Sequence, residues 1–112
     1  MDVTIYHNPR CGKSRDTLKL IEGKGIAPKV IEYLQTPPSA GELTAILAKL
    51  GVKPKDILRR KEAKEAGIEP DLPDEKLLAL MVANPIVIER PIVLAGGKAI
   101  LGRPPETVLT IL

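Results

Sequence analysis

Two short apolar runs separated by one helical segment occupy the first 34 residues, and this pattern constrains the fold more than any other feature of the chain. Val3–Tyr6 and Val30–Leu34 are rich in β-branched and aromatic residues, which is typical of strands. Between them, residues 12–24 carry leucine and isoleucine at helical spacing and end among glycines. Two strands joined by a crossover helix usually lie parallel in one sheet. The chain is therefore predicted to begin with a βαβ unit.

A second helix is predicted to begin at Ser39. Ser39 and Glu42 have the spacing of a capping box, in which each side chain accepts a hydrogen bond from the other residue's backbone N–H. Apolar residues follow at helical spacing until Gly51, a residue type that commonly ends helices.

Further helical segments are predicted after Gly51. Pro54 suits the first turn of a short helix that runs through about Arg60, and Asp74–Ala83 is predicted to form another helix. The charged residues 61–73 between them are expected to be irregular. Residues 39–83 are thus predicted to be a mostly helical insertion.

The last third of the chain predicts two more strands and a final helix. Ile92–Leu94 and Ala99–Leu101 flank a Gly-Gly pair, which tolerates the positive φ angles of a two-residue hairpin turn. Pro104 and Pro105 then suit the start of a helix that runs to the last residue. The predicted order is βαβ, helices, ββα, which gives an α/β fold with a four-stranded mixed sheet.

Length and composition favour a single domain over residues 1–112. A chain of this size buries roughly two-thirds of its unfolded surface around one core. Its longest apolar runs are far shorter than a membrane span, and its first residues lack the pattern of a secretory signal. The net charge is only +3, with two Tyr and no Phe or Trp to stack on bases. We therefore expect a cytoplasmic monomer that binds neither nucleic acid nor membranes.

The only cysteine, Cys11, lies in the stretch HNPRCGKSRDT, where the first strand meets the first helix. One cysteine cannot form an internal disulfide, and with one histidine it cannot supply the usual four-ligand zinc site, so no metal is expected. The Gly-Lys-Ser triplet is not a nucleotide P-loop, because His7 stands where that loop needs its first glycine. Thr17 stands where another anion-binding pattern, Cys followed six residues later by Arg, needs its arginine.

The position of Cys11 favours a reactive thiolate. A helix N-terminus offers free N–H groups and the positive end of the helix dipole, and Arg10, Lys13 and Arg15 add positive charge. We therefore expect a lowered pKa for the Cys11 thiol, although a buried and inert core cysteine is the alternative. The same N–H groups are able to hold an oxyanion beside the sulfur.

Additional charge for such an anion is available from arginines at the predicted ends of elements. Arg59 or Arg60 ends the short helix, Arg90 precedes a proline before the hairpin, and Arg103 precedes another proline. Spacing alone does not bring these residues together, and on sequence alone each is more often a solvated surface charge. His7, four residues before the cysteine, either tunes the thiol or caps the first strand, and the pattern does not decide between them.

Five motifs carry a resemblance to a known family, and the match runs over nearly the whole chain. They are TIYHNPRCGKSR at 4–15, EYLQTPPS at 32–39, DILRRKE at 56–62, NPIVIERPIV at 84–93 and LGRPPETVL at 101–109. Together they resemble the glutaredoxin-type arsenate reductases, small thioredoxin-like enzymes. The predicted order of elements, with a thiol at the first helix and Pro91 just before the hairpin, resembles the same thioredoxin-like plan.

The resemblance implies roles for particular residues. Cys11 is the expected nucleophile, and Arg59, Arg90 and Arg103 are expected to bind arsenate, with Arg60 as an adjacent possibility for the first arginine. The implied reaction starts with attack of the Cys11 thiolate on arsenic. Glutathione then attacks the adduct, which yields arsenite and a mixed disulfide that glutaredoxin reduces. Glutathione is thus a co-substrate, and no bound cofactor is expected.

Supporting roles fall on His7, Ser14, Arg60 and Pro91. Ser14 also bears on an alternative function, because a related branch, the Spx-type regulators of RNA polymerase, typically has a Cys-x-x-Cys motif. Here the second cysteine position is Ser14, which disfavours a regulator. A general glutathione-dependent thiol oxidoreductase is the other alternative.

Overall fold

The computed structural model describes residues 2–112, and the chain divides into two compact units. The first unit combines the chain up to Thr36 with Arg90–Leu112, and the second is Pro37–Glu89. The expectation that residues 1–112 form one domain stays a prediction.

The first unit is built on a mixed sheet, which confirms the predicted fold class. Among residues 2–112 this sheet has four strands in the order β2-β1-β3-β4. They are β1 (Val3–His7), β2 (Lys29–Glu32), β3 (Ile92–Ala95) and β4 (Lys98–Leu101). β1 runs parallel to β2 and antiparallel to β3, and β3 is antiparallel to β4. β1 is therefore an inner strand, and four of its five side chains are buried.

Helix α1 (Gly12–Gly23) and a 3-10 helix at Pro105–Ile111 complete the first unit and pack against each other. The hydrophobic core of this unit unites the inner strands with both helices through Val3, Ile5, Ile21, Val93, Ala95 and Val108. The final helix predicted from Pro104 is present, but its hydrogen bonds are of the tighter 3-10 type.

Two boundaries near the sheet test the sequence pattern. The predicted hairpin is confirmed, because Gly96 and Gly97 have φ angles of 56° and 80°, as a two-residue turn of this kind requires. The second strand, expected to reach Leu34, ends at Glu32 instead. The Glu32 carbonyl accepts hydrogen bonds from the N–H groups of Gln35 and Thr36, so the chain turns there.

The second unit is helical, as predicted for this part of the chain. It contains α2 (Ala40–Leu50), α3 (Arg60–Glu65) and α4 (Asp74–Ala83), with 3-10 helices at Pro54–Ile57 and Pro85–Val87. The capping box at Ser39 is confirmed by both of its hydrogen bonds, and Gly51 ends α2 with a φ of 69°. Within the described residues, no helix is long and apolar enough to cross a bilayer.

The prediction of one helix over residues 54–60 is wrong. The 3-10 helix there ends at Ile57, and Leu58 pairs with Ile88 in an isolated β-bridge, which keeps the backbone extended. Arg59 is the N-cap of the next helix, α3, so it begins a helix where the sequence pattern placed the end of one. Part of the charged stretch expected to be irregular is therefore helical.

Candidate active site

Cys11 lies at the N-cap of α1, immediately after a turn that follows β1. Its backbone is extended, with φ −93° and ψ 121°. Its N–H donates to the carbonyl of Asn8 at 3.0 Å, and its own carbonyl accepts from the N–H of Arg15 at 3.0 Å, the first bond of the helix. The turn thus fixes the half-buried sulfur at the start of the helix.

The pKa of the Cys11 thiol is lowered from its ordinary value, as the sequence predicts. Burial by itself raises the pKa, but hydrogen bonds from the Ser14 N–H, the Arg90 side chain and the Lys13 N–H outweigh that effect, together with the charge of Arg90. The stabilising cation is therefore Arg90, whereas the sequence prediction named Arg10, Lys13 and Arg15 besides the N–H groups and dipole of the helix.

Ser14 is fully buried and connects α1 to the end of β1. Its hydroxyl oxygen lies 2.7 Å from Nδ1 of His7 and accepts a hydrogen bond from the Asn8 N–H at 3.0 Å. These two bonds hold the Ser14 backbone, whose N–H faces the Cys11 sulfur. The hydroxyl therefore fixes a donor to the thiolate.

The pKa of His7 is lowered, so its imidazole is mostly neutral near pH 7. Burial is the main cause, with a further lowering by the charge of Arg15 and an opposing effect of Glu32. A neutral ring brings no positive charge to the thiolate. The structure thus links His7 to the site through Ser14, while its role in the chemistry stays a prediction.

Arg90 and Arg103 both belong to the first unit, and the structure brings them together. Nη1 of Arg103 donates to the backbone carbonyl of Arg90 at 3.1 Å. Because the Arg90 side chain hydrogen-bonds the Cys11 sulfur, three of the predicted site residues form one connected group.

Gly102 is a structural requirement of this group that the sequence pattern did not reveal. Its N–H donates to the carbonyl of Pro91 at 3.0 Å. A Cβ at this position would lie 2.5 Å from Oγ1 of Thr17 on α1 and 2.8 Å from Cγ of Pro91. Only glycine therefore permits such a close approach of the loop before Arg103 to both α1 and Pro91.

Asn8 also escaped the sequence prediction. It is buried, its side-chain oxygen accepts the Arg10 N–H at 3.0 Å, and its backbone bonds both Cys11 and Ser14. The Asn-Pro pair was a usable signal, since asparagine before proline favours the start of a turn.

Arg59 and Arg60, the two candidates for the remaining arginine, lie in the second unit. Arg60 is exposed. Nε of Arg59 donates to Glu62 and Nη1 to Glu89, both at 2.6 Å. The contact with Glu62 could have been predicted from the sequence, because Glu62 lies three residues after Arg59, which is helical spacing. The contact with Glu89 depends on the β-bridge, which the sequence did not predict.

Comparisons with known proteins agree with this fold. The model of the ArsC family matches residues 6–111. An arsenate reductase from Neisseria meningitidis serogroup A is 45% identical over 115 residues, covering 99% of this chain and 98% of the relative. The Escherichia coli K12 protein YfgD, described as uncharacterized, is 49% identical over 113 residues, covering 97% and 95%.

Solved structures show the same similarity. An arsenate reductase from Vibrio cholerae matches with a TM-score of 0.90 at 47% identity, covering 100% of this chain and 98% of that one. The predicted thioredoxin-like fold and family resemblance are confirmed, and the chain belongs to the ArsC family.

Proposed function

We propose that this protein is an arsenate reductase that uses Cys11 as its nucleophile, glutathione as its reductant and glutaredoxin to restore the thiol. Related proteins from Neisseria meningitidis and Vibrio cholerae, described as arsenate reductases, support the activity. The observation that carries the proposal is the environment of the Cys11 sulfur, which meets two backbone N–H groups and the Arg90 guanidinium. A thiol in this environment ionises readily and lies beside donors that suit an oxyanion.

The first step is attack of the Cys11 thiolate on As(V). A sulfur–arsenic bond forms while one arsenic–oxygen bond breaks, and the departing oxygen takes up protons and leaves as water. Arsenic stays in the +5 state, now linked to sulfur. The lowered pKa of Cys11 favours this step because only the thiolate is an effective nucleophile.

Arginines have two functions in this step. We propose that Arg90 and Arg103 bind the oxyanion, with Arg59 as the third arginine. Arsenate is largely a dianion near neutral pH, and each charge-assisted hydrogen bond contributes about 1.5–3 kcal/mol. The guanidinium groups also reduce the repulsion between this dianion and the approaching thiolate.

Glutathione completes the reduction. Its thiolate attacks the Cys11 sulfur, a disulfide bond forms, and the electron pair of the sulfur–arsenic bond passes to arsenic, which becomes As(III) and leaves as arsenite. A glutaredoxin thiolate then attacks the glutathione sulfur and returns Cys11 to the thiolate form. The chain has no second cysteine to resolve the mixed disulfide itself, which supports the need for an outside thiol.

His7 and Ser14 have a positioning role in this scheme. The 2.7 Å contact between His7 Nδ1 and Ser14 Oγ, with the hydrogen bond from the Asn8 N–H, fixes the first turn of α1, where the Ser14 N–H faces the sulfur. Pro91 helps to position Arg103, because its carbonyl accepts a hydrogen bond from the N–H of Gly102, the residue before Arg103.

Arsenite formation by the purified chain tests the proposal. We expect arsenite only when arsenate, glutathione and glutaredoxin are all present, and a fall to background in Cys11→Ser. Lys53→Ala, which changes an exposed side chain of the second unit, is the control and should keep full activity. Unchanged turnover in Cys11→Ser would remove the mechanism.

A parallel assay with glutathione mixed disulfides separates arsenate reduction from general thiol exchange. A thiolate of lowered pKa is also suited to exchange with glutathione mixed disulfides. Reduction of such disulfides with no response to arsenate would assign the chain to the general thiol oxidoreductases instead.

A further inference from the structure

Arg59 is held between two carboxylates in the second unit, and we call this group the Arg59 cluster: Arg59, Glu62 and Glu89. Both contacts are 2.6 Å long and join different nitrogens of the guanidinium, Nε and Nη1. The three side chains are only 16–24% exposed, which shields the ion pairs from solvent in part. This arginine therefore differs from a solvated surface charge.

The backbone fixes both carboxylates in place. Arg59 is the N-cap of α3, so Glu62 lies in the first turn of the same helix. Glu89 approaches because the isolated β-bridge aligns the two segments: the Arg59 N–H donates to Val87 at 2.7 Å, and the Glu89 N–H donates to Ile57 at 2.8 Å. The cluster is thus a product of the fold and not of two mobile side chains meeting by chance.

Two carboxylates share the guanidinium of Arg59. Burial alone lowers the pKa of Arg59, but the hydrogen bonds and charges of Glu62 and Glu89 raise it above the ordinary value. The three side chains by themselves carry one positive and two negative formal charges. An oxyanion that binds the guanidinium must also come close to both carboxylates, and the repulsion grows with the charge of the anion.

Resting on the proposed role of Arg59 in oxyanion binding, we infer that Glu62 and Glu89 are specificity-determining residues. They compete with the substrate oxyanion for the Arg59 guanidinium and select against its dianionic form. Arg59 is consequently a weaker oxyanion ligand in this chain than Arg90, whose side chain faces the sulfur of Cys11.

Isosteric variants test this inference, because glutamine keeps the shape of glutamate and removes its charge. We expect the double variant Glu62→Gln with Glu89→Gln to bind arsenate about three- to tenfold more tightly than the wild type, measured by calorimetry without any thiol. The KM for arsenate should fall with little change in kcat, and the gain should be larger above neutral pH, where the dianion dominates.

Two matched variants assign the effect to the cluster. Glu65→Gln removes the same charge from an exposed position of α3 and should leave arsenate affinity unchanged. Adding Arg59→Ala to the double variant should abolish the gain. Thermal unfolding of each variant, including the two single glutamine variants, checks that the fold is retained.

The outcomes separate this inference from the proposed function. If the chain reduces arsenate but the double variant binds it no better, or Glu65→Gln gives the same gain, the competition between carboxylates and oxyanion is refuted and the reductase stands. If tighter binding of arsenate or inorganic phosphate is found without any reductase activity, the inference stands and the proposed function falls. If no variant binds either oxyanion and the chain forms no arsenite, both are overturned.

Discussion

Helices α1 and α2 both begin after an N-cap residue with extended backbone, but they use their first N–H groups differently. In α2, the hydroxyl of Ser39 accepts the N–H of Glu42 at 3.1 Å, and the Glu42 carboxylate accepts the Ser39 N–H at 2.9 Å. In α1, the N-cap is Cys11, whose sulfur takes the corresponding place and faces the N–H groups of Lys13 and Ser14. A neutral hydroxyl accepts the hydrogen bond from a free N–H group at the start of α2, whereas at the start of α1 the acceptor is a thiol, which ionises.

This difference shows how the free N–H groups of a helix N-terminus either stabilise the helix or change the ionisation of a side chain. Donors that meet a serine hydroxyl stabilise the helix by roughly 0.5–2 kcal/mol. Donors that meet a thiol stabilise its charged form, so their free energy appears as a lowered pKa of Cys11. The start of α1 has no side-chain cap bond of the serine type, and Thr17 in the following turn lies close to Gly102.

Removing the charge beside α1 gives the largest expected effect. We expect Arg90→Ala to raise the pKa of the Cys11 thiol, because the hydrogen bond and charge of Arg90 both lower it. Loss of a charge-assisted hydrogen bond of about 1.5–3 kcal/mol lowers kcat/KM for arsenate roughly 10- to 100-fold. The pH dependence of iodoacetamide alkylation measures the thiol pKa, and arsenite formation measures turnover.

Lys13→Ala is the matched control for Arg90→Ala. It removes an exposed positive charge from the first turn of α1 but keeps the backbone N–H that faces the sulfur. We expect a thiol pKa close to that of the wild type. An equal rise in both variants would mean that general positive charge, and not the Arg90 contact, stabilises the thiolate.

Disturbing the packing of α1 is expected to come next in size. Gly102→Ala places a Cβ 2.5 Å from Thr17 Oγ1 and 2.8 Å from Pro91 Cγ, so part of the site must shift. Overpacking of this kind lowers the free energy of unfolding by about 1–3 kcal/mol. Urea denaturation measures the loss.

Two further variants test whether the close approach of the new Cβ causes the loss of stability. Thr17→Ala removes the nearest atom, Oγ1, so combining it with Gly102→Ala should recover part of the lost stability. Gly41→Ala on α2 meets nothing nearer than 4.0 Å and should stabilise the chain slightly. A Gly102→Ala variant as stable as the wild type would refute the requirement for glycine.

The fold was predictable where local patterns and long-range contacts agree. The capping box at Ser39 and the glycine pair of the hairpin specify their elements through bonds within a few residues. The prediction for residues 54–60 was wrong because the bridge between Leu58 and Ile88 joins distant segments, and helical periodicity contains no information about such a partner.

The site was predictable to a similar extent. Cys11 at a helix start follows from the order of elements, and its lowered pKa follows from that position. The identity of the cation that stabilises the thiolate does not follow from the sequence, because several basic residues are nearer to Cys11 in the chain than Arg90. The contact between Arg59 and Glu89 was missed for the same reason, since Glu89 reaches the guanidinium only through the folded backbone.

Removing the Ser39 cap of α2 tests whether its hydroxyl stabilises that helix, in contrast to the thiol at the start of α1. We expect Ser39→Ala to lower the free energy of unfolding by about 1 kcal/mol, because the Glu42 N–H loses its hydroxyl partner. Thr44→Ala, whose hydroxyl bonds only a carbonyl inside α2, is the control and should change stability less. Equal losses in a denaturation series would mean that the capping box contributes no more than an ordinary exposed hydroxyl.

Converting the start of α1 into one like that of α2 has the smallest expected effect on stability. Serine is a strong N-cap, so Cys11→Ser should raise the free energy of unfolding by less than about 1 kcal/mol at acidic pH, even though activity is lost. The lowered pKa of Cys11 means that its thiolate stabilises the folded wild type at high pH, and that this contribution disappears as the pH falls through the lowered pKa. The advantage of serine should therefore shrink as pH rises, in urea denaturation of both proteins under reducing conditions. An advantage that grows with pH would show that the donors of α1 do not stabilise the thiolate.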